Sequence, residues 1–376
     1  MAGTLISQRG LARATLARQL LLERSAVDPV AAVRHLVGLQ AQTPQTWYTG
    51  LWSRLVDFDA AQFGRLLEDR SVVRMALMRS TIHLVAAEDA LGLRRLVQPV
   101  IERSTRGAFA RQWAGLNLEE VAERSRELLD AEPLTFAELG ARLQERWPGR
   151  DRTALGQVAR SALPLVQVPP RGVWRRSGAV RHTTLEAWLG SAVGEPISPE
   201  VLVRRYLGAY GPASVMDIQA WCGLTRLSEV VDRLRPGLLV LRNDAGKELF
   251  DLPDASRPPE DVPAPPRFLY DYDNLLLSHA DRSRFLIHNL LDFGWNFDGP
   301  QPSGLLVDGT VEATWVVRQD RGVPVLAIRL LAPVSARERD EISREGVGLL
   351  AFLSDRASGA GSVADADIRF LDAQGG

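Results

Sequence analysis

The sequence predicts an α+β fold in which three helix–helix–hairpin units stand in tandem before a β-rich C-terminal region. Each unit has the element order of a winged helix. Three observations carry this reading. Apolar residues recur at helical spacing in short segments that begin on capping residues. Each helical run is followed by short extended stretches separated by turn residues. A proline-rich acidic segment at 253–266 then divides this pattern from one dominated by strands.

In the first unit, residues 11–22 carry apolar side chains at helical spacing, with Arg9, Arg13 and Arg18 on or near one edge. Asp28-Pro29 is an N-cap followed by proline at the first helical position, opening a helix through Val37. Residues 60–69 form a third helix, and 72–78 and 81–85 two strands around a tight turn at Arg79-Ser80. The second unit opens with Thr135-x-x-Glu138, a capping-box pattern. A helix at 154–163 and extended pieces at 165–168, 172–176 and 180–183 follow. The third begins at Ser198-Pro199 with a helix to Tyr210, then a helix capped at Ser214, one at 227–234, and a hairpin of 238–242 with 247–251. Beyond the linker, 304–309 and 311–318 read as a hairpin, 324–331 as a strand, 335–354 as a helix and 368–371 as a late strand. The expected units are 1–118, 119–195 and 196–252, with the linker at 253–266 and a C-terminal domain at 267–372.

The chain has 376 residues, 45% hydrophobic and 24% charged, an ordinary globular composition long enough for two or three cores. One cysteine, Cys222, excludes an internal disulfide framework and a multi-cysteine metal site. The absence of a hydrophobic leader or an 18-residue apolar run points to a reducing cytoplasm and no membrane partner. Net charge is −1, but it is segregated: residues 1–118 hold 15 arginines against 9 acids, 133–211 hold 11 against 6, and 251–300 hold 4 against 9. Lys247 is the one lysine. Guanidinium forks suit phosphate recognition, although a GC-rich genome would produce the same arginine bias.

The most informative stretch is Leu39-Gln40-Ala41-Gln42-Thr43-Pro44. Positions i and i+2 point about 200° apart on a helix but the same way on extended backbone. Gly38 offers a helix stop and Pro44 biases Thr43 towards extended geometry. Two uncharged amides are therefore presented side by side just after a helix. Such a pair can orient a water or a sugar, and the plain alternative is a polar helix end with solvated glutamines.

Several segments occurring in order resemble a known family: Arg18-Gln19-Leu20-Leu21-Leu22, Gly38-Leu39-Gln40-Ala41-Gln42, Leu77-Met78-Arg79-Ser80-Thr81-Ile82-His83-Leu84-Val85 and Tyr210-Gly211-Pro212-Ala213. Tyr272-Asp273-Asn274-Leu275-Leu276-Leu277, Ala280-Asp281-Arg282-Ser283-Arg284 and Val307-Asp308-Gly309 complete the set. Together they look like the AlkZ/YcaQ superfamily of bacterial winged-helix DNA glycosylases, over roughly residues 5–355. The resemblance implies three tandem winged-helix motifs, a C-terminal β-barrel and a concave channel for double-stranded DNA. It implies monofunctional hydrolysis of the N-glycosidic bond of alkylated purines, including N7-alkylguanine. Some members act on interstrand crosslinks or bulky natural-product adducts, as self-resistance in an antibiotic producer. Gln40 and Gln42 match the catalytic glutamine-apolar-glutamine motif of the AlkZ branch; the other branch ends in aspartate. No metal and no cofactor are implied, and a cytoplasmic, nucleoid-associated monomer is expected.

The chemistry fits a neutral pair. An N7-alkylated guanine is already cationic and leaves without a general acid, so the barrier lies in the oxocarbenium-like sugar and in placing a water at C1′. Amides can do this by hydrogen bonding, and neutral purines should then be poor substrates. An open channel that reads the backbone also suits a crosslinked nucleotide, which cannot easily be extruded into a tight pocket. Arg79 at the turn is a phosphate ligand or a solvated arginine, and Thr81 and His83 on the same strand are DNA-contacting or structural. Arg282 either lines the channel or pairs locally, and Trp47, Trp52 and Trp113 stack on a displaced base or pack in the core. Two other classes stay open: a non-catalytic winged-helix DNA-binding protein such as a transcriptional regulator, and a nucleotide- or nucleoside-processing hydrolase.

Overall fold

A computed structural model describes residues 4–190, 196–288, 303–354 and 367–371; the boundaries expected at 195 and 372 lie outside these. Helix starts follow the local chemistry. Asp28 accepts from the Val30 and Ala31 amides to open Pro29–His35, and Asp59 from Gln62 to open Ala60–Glu68. Thr135 with Glu138 and Ser214 with Asp217 form complete capping boxes.

Strands from the segments expected as the first two units form one sheet. Its strands run Leu39–Gln40, Ile82–Ala86, Val72–Ala76, Leu165–Gln167 and His182–Thr184, all antiparallel. The hairpin of the first unit therefore joins the strands of the second edge to edge, which satisfies an edge that a separate wing would leave exposed. The third unit has helices Pro199–Tyr210, Val215–Cys222 and Leu227–Leu234, then the hairpin Leu239–Arg242 with Glu248–Asp251, extended in parallel by Thr4–Leu5. Helix Gln8–Arg18 spans two regions: Leu11 packs with Leu241 and Leu249, while Ala12 and Leu16 pack with Leu269 and Leu275.

Two expectations need correction. The C-terminal sheet is not a barrel among the described residues: its five strands form an open sheet in the order Asp367–Leu371, Val323–Leu330, Thr310–Asp320, Ser303–Val307, Arg267–Phe268. Helix Ala336–Ser354 supplies the reason. Its Ile342, Leu349 and Leu350 cover Phe268, Leu305, Leu326 and Ile328, so a helix buries the apolar face that curling would otherwise bury. Residues 172–176 are turn rather than strand.

Helices Thr46–Trp52, Ala87–Leu96, Gln98–Trp113 and Leu118–Ala131 were not anticipated. The third of these buries only Val100, Ile101, Thr105 and Trp113 among 16 residues, too narrow an apolar stripe to announce itself.

Candidate active site

Helix Pro29–His35 ends on Leu36, and the chain reverses through Val37 and Gly38, with φ of 55° and 90°. A Cβ at Gly38 would stand 2.6 Å from Val85 Cγ1 and 2.9 Å from the Leu84 carbonyl, so the close approach to the sheet requires glycine. The next residues form the sheet edge, Leu39 opposite Leu84 and Gln40 opposite His83, and the Ala41 amide donates to the Ile82 carbonyl at 2.7 Å. The strand ends at Gln40 and Gln42 lies in the bend just after it, so the two glutamines differ in backbone and in surroundings: Gln40 is buried and Gln42 exposed. Gln40 Oε1 accepts from the Arg79 guanidinium at 2.6 Å, and Gln42 Oε1 from the Ile82 amide at 3.2 Å. Both partners are donors only, so each amide is fixed with its oxygen towards them.

Arg79 reaches Gln40 from a strained turn. Arg79 and Ser80 have φ of 54° and 61°, a left-handed conformation that costs roughly 1–2 kcal/mol per residue outside glycine. The guanidinium also donates to the Trp221 carbonyl, so one arginine ties the motif to the third unit. Burial lowers its pKa to about 10, which keeps it cationic at neutral pH. Arg282 is exposed, and its charge also bears on Arg79. Thr81 Oγ1 donates back to the Met78 carbonyl at 3.0 Å. His83 is fully buried; its Nδ1 lies 3.0 Å from the Thr81 carbonyl and its Nε2 has no hydrogen-bond partner. Burial, reinforced by the Arg79 charge, holds its pKa down to about 3, so the ring is neutral. The structure therefore gathers Gln40, Gln42, Arg79, Thr81 and His83 around one strand edge, with Arg282 nearby.

The family profile described as DNA glycosylase AlkZ-like matches residues 33–352. The chain belongs to the AlkZ-like DNA glycosylase family. An interstrand DNA cross-link repair glycosylase of Streptomyces sahachiroi is 27% identical over 255 residues, which cover 62% of this chain and 64% of that relative, just under two thirds of its length. The solved structure of the Streptomyces sahachiroi DNA glycosylase AlkZ superposes with a TM-score of 0.73 at 18% identity, covering 98% of this chain and all of that one. At that identity the superposition shows a shared fold.

In this AlkZ-like chain the glutamine motif is clamped by residues to which the sequence reading gave no role. Asn274 Oδ1 accepts from the Gln40 amide at 3.2 Å, while its Nδ2 donates to the Gly38 carbonyl at 2.8 Å and the Tyr210 hydroxyl at 3.0 Å. Next to it, Asp273 pairs with Arg54 through two bonds of 2.7 and 2.9 Å, both side chains fully buried. Burial alone would lower the Arg54 pKa, but Asp273 overrides it and raises it. Asp271 accepts from Thr43 and Thr46, and Arg74 donates to the Ala41 carbonyl at 2.9 Å. The signal was present in Asp273-Asn274 before an apolar run, an N-cap pattern; Asp273 does cap Asn274–Leu277 through the Leu275 amide.

Other candidates settle into the fold. Trp47 is buried and stacked on Tyr48, Trp113 is buried and donates to the Ala154 carbonyl, and Trp52 stacks on Phe352 beneath Arg24. Arg284 is buried and donates to Thr15 and the Pro212 carbonyl. Burial pushes the Cys222 thiol up to about 11, which makes it inert. Among the described residues no three His, Cys, Asp or Glu side chains converge as a metal site, and no helix is long and apolar enough to cross a membrane. Helix Gln98–Trp113 packs against the Arg79 turn and carries Arg103, Arg106 and Arg111 on its exposed face.

Proposed function

We propose that this chain is a monofunctional DNA glycosylase that hydrolyses the N-glycosidic bond of cationic N7-alkylated purines in duplex DNA, including bulky adducts and interstrand crosslinks. The observation that carries the reading is the pair of oriented amides at one sheet edge, Gln40 held by Arg79 and Gln42 by the Ile82 amide. Family membership and the cross-link repair name of the relative support it, and favour it over a regulator.

Each glutamine oxygen spends one lone pair on its protein donor and keeps a second. That lone pair accepts a proton of the attacking water and turns the water oxygen towards C1′. As the C1′–O bond forms, the C1′–N9 bond breaks and its electron pair neutralises the alkylated purine, which leaves uncharged. The water's acidity rises with bond formation, and its proton passes to solvent. Neither motif residue is ionisable, so no acid stands ready to activate a neutral purine. The motif itself contains no lysine, and the one lysine, Lys247, lines a small cavity with Asp217 and Asp281, which supports hydrolysis over an amine-mediated lyase step. In this reading the three units serve as winged-helix motifs of a monomer working on the nucleoid in the cytoplasm. Arg79 and His83 act as positioning residues beneath the motif, while Thr81 and Arg282 face the DNA.

The test is single-turnover release of 7-methylguanine from duplex DNA, with wild type beside Gln40→Ala/Gln42→Ala. The double variant should lose about 100-fold or more while still binding duplex. A wild type silent on 7-methylguanine, on a bulky N7 adduct and on an N7-guanine crosslink would overturn the proposal.

A further inference from the structure

Gln42 and Arg160 line one cavity of about 450 Å³ between the sheet edge and helices Phe136–Arg146 and Arg152–Ala162. Among the described residues no carboxylate lines it, and its permanently charged side chains are Arg94 and Arg160. Arg94 is committed to the fold: it is buried and donates to Gln98 and to the Ser161 and Leu163 carbonyls. Arg160 is half-buried and spends one nitrogen on the protein, Nη2, which donates to the Ser80 carbonyl at 2.7 Å and the Ser80 hydroxyl at 3.4 Å. Its Nε and Nη1 donate to no protein atom and are not sealed in the interior. No acid among the described residues raises its pKa; burial alone acts on it, downward. A guanidinium stays protonated even so.

Gln42 takes the Ile82 amide, and Arg160 the Ser80 carbonyl. Those two backbone sites are two residues apart, so the guanidinium and the motif amide are fastened within about 7 Å of each other. A planar fork of donors matches the oxygens of a phosphate. Here such a fork keeps its charge and most of its donors unspent, in a cavity that holds no competing carboxylate and opens beside the motif. We infer that Arg160 grips a phosphate flanking the lesion nucleotide and so sets the sugar against the water held at Gln40 and Gln42. The inference rests on the glycosylase reading of the motif and adds the residue that registers the DNA backbone on it. The sugar is then oriented through its own phosphate, with no need for a tight pocket around the base. Every nucleotide carries that phosphate, so the grip is indifferent to what the purine carries.

The test measures single-turnover release of 7-methylguanine at saturating protein, with an uncharged methylphosphonate replacing the phosphate on the 5′ or the 3′ side of the lesion. Wild type is compared with Arg160→Gln and Arg160→Lys. In wild type one of the two methylphosphonates should slow release about tenfold or more, and Arg160→Gln should slow release from the ordinary duplex by a similar factor. The losses should not multiply: that methylphosphonate should change Arg160→Gln by less than about twofold. Arg160→Lys keeps a cation in place and should restore sensitivity to it. Losses that multiply would show that Arg160 only braces the Ser80 turn and would overturn the proposal, as would a wild type indifferent to both methylphosphonates. Duplex binding gives a readout independent of the chemistry. Arg160→Gln should make the log–log salt dependence shallower by about 1, and the same methylphosphonate should weaken binding by wild type but not by Arg160→Gln. A protein that releases no base fails as a glycosylase, and the binding comparison still decides the phosphate contact.

Discussion

Gln40 ends a strand and Gln42 lies two residues on, in the bend beyond it, and the two are held in opposite ways. Around Gln40 every group is fixed from behind: Arg79 on the side chain, Asn274 on the backbone at both Gln40 and Gly38, and the buried Arg54–Asp273 pair under Asn274. Around Gln42 there is one backbone amide, an exposed side chain and an open cavity. The difference separates precision from tolerance. Placing a water at C1′ demands an amide held to within a fraction of an ångström. Accepting lesions of different shape demands a side that does not close.

The comparison is easiest to break at the buried ion pair. Asp273→Asn leaves the Arg54 guanidinium charged, fully buried and without its counter-ion, a change that costs about 3–5 kcal/mol. Denaturant unfolding should show that loss. A variant destabilised by less than about 1 kcal/mol would mean that the pair does not brace the site.

A smaller and more specific effect is expected at Asn274. Asn274→Leu keeps the bulk but leaves the Gly38 carbonyl and the Gln40 amide unpaired in a buried place. The stability cost should be about 1–3 kcal/mol. Release of 7-methylguanine under single turnover should fall further than that instability explains, since Gln40 loses its backbone clamp while remaining present. Full activity at a temperature where the variant is folded would show that the clamp is packing alone.

Local features were legible in the sequence because their causes are local. The N-cap at Asp28, the capping boxes at Thr135 and Ser214, and the glycine at 38 each act over three or four residues, and each ends a helix or begins one where expected. The clamp was not legible, because Asn274 lies 234 residues from Gln40 and only the folded chain brings them together. Charge counting could not assign individual arginines for a related reason. Of the arginines in the basic first segment, Arg13, Arg18, Arg54, Arg74 and Arg94 are buried, most of them donating to carbonyl oxygens or carboxylates. Composition cannot distinguish a guanidinium that braces the interior from one that faces phosphate. The missing barrel has a different origin: the sequence marks the covering helix at 335–354, but the sheet face it buries is decided by packing and not by local pattern.

That distinction between interior and surface arginines leads to the smallest expected effect, on the open side of the site. Arg103 and Arg106 stand exposed on the helix that packs against the Arg79 turn, and no acidic partner among the described residues neutralises them. If DNA reaches Gln40 and Gln42 along this face, each contributes one phosphate contact and releases the counterions held there. Arg103→Gln/Arg106→Gln should then make the log–log salt dependence of duplex binding shallower by about 1 per arginine. Single-turnover release at saturating protein should be unchanged, because neither side chain touches the motif. A slope identical to that of the wild type would move the DNA track off this helix. A lost rate with an unchanged slope would instead show that the helix positions the Arg79 turn, and would place it with Gln40 on the braced side of the comparison.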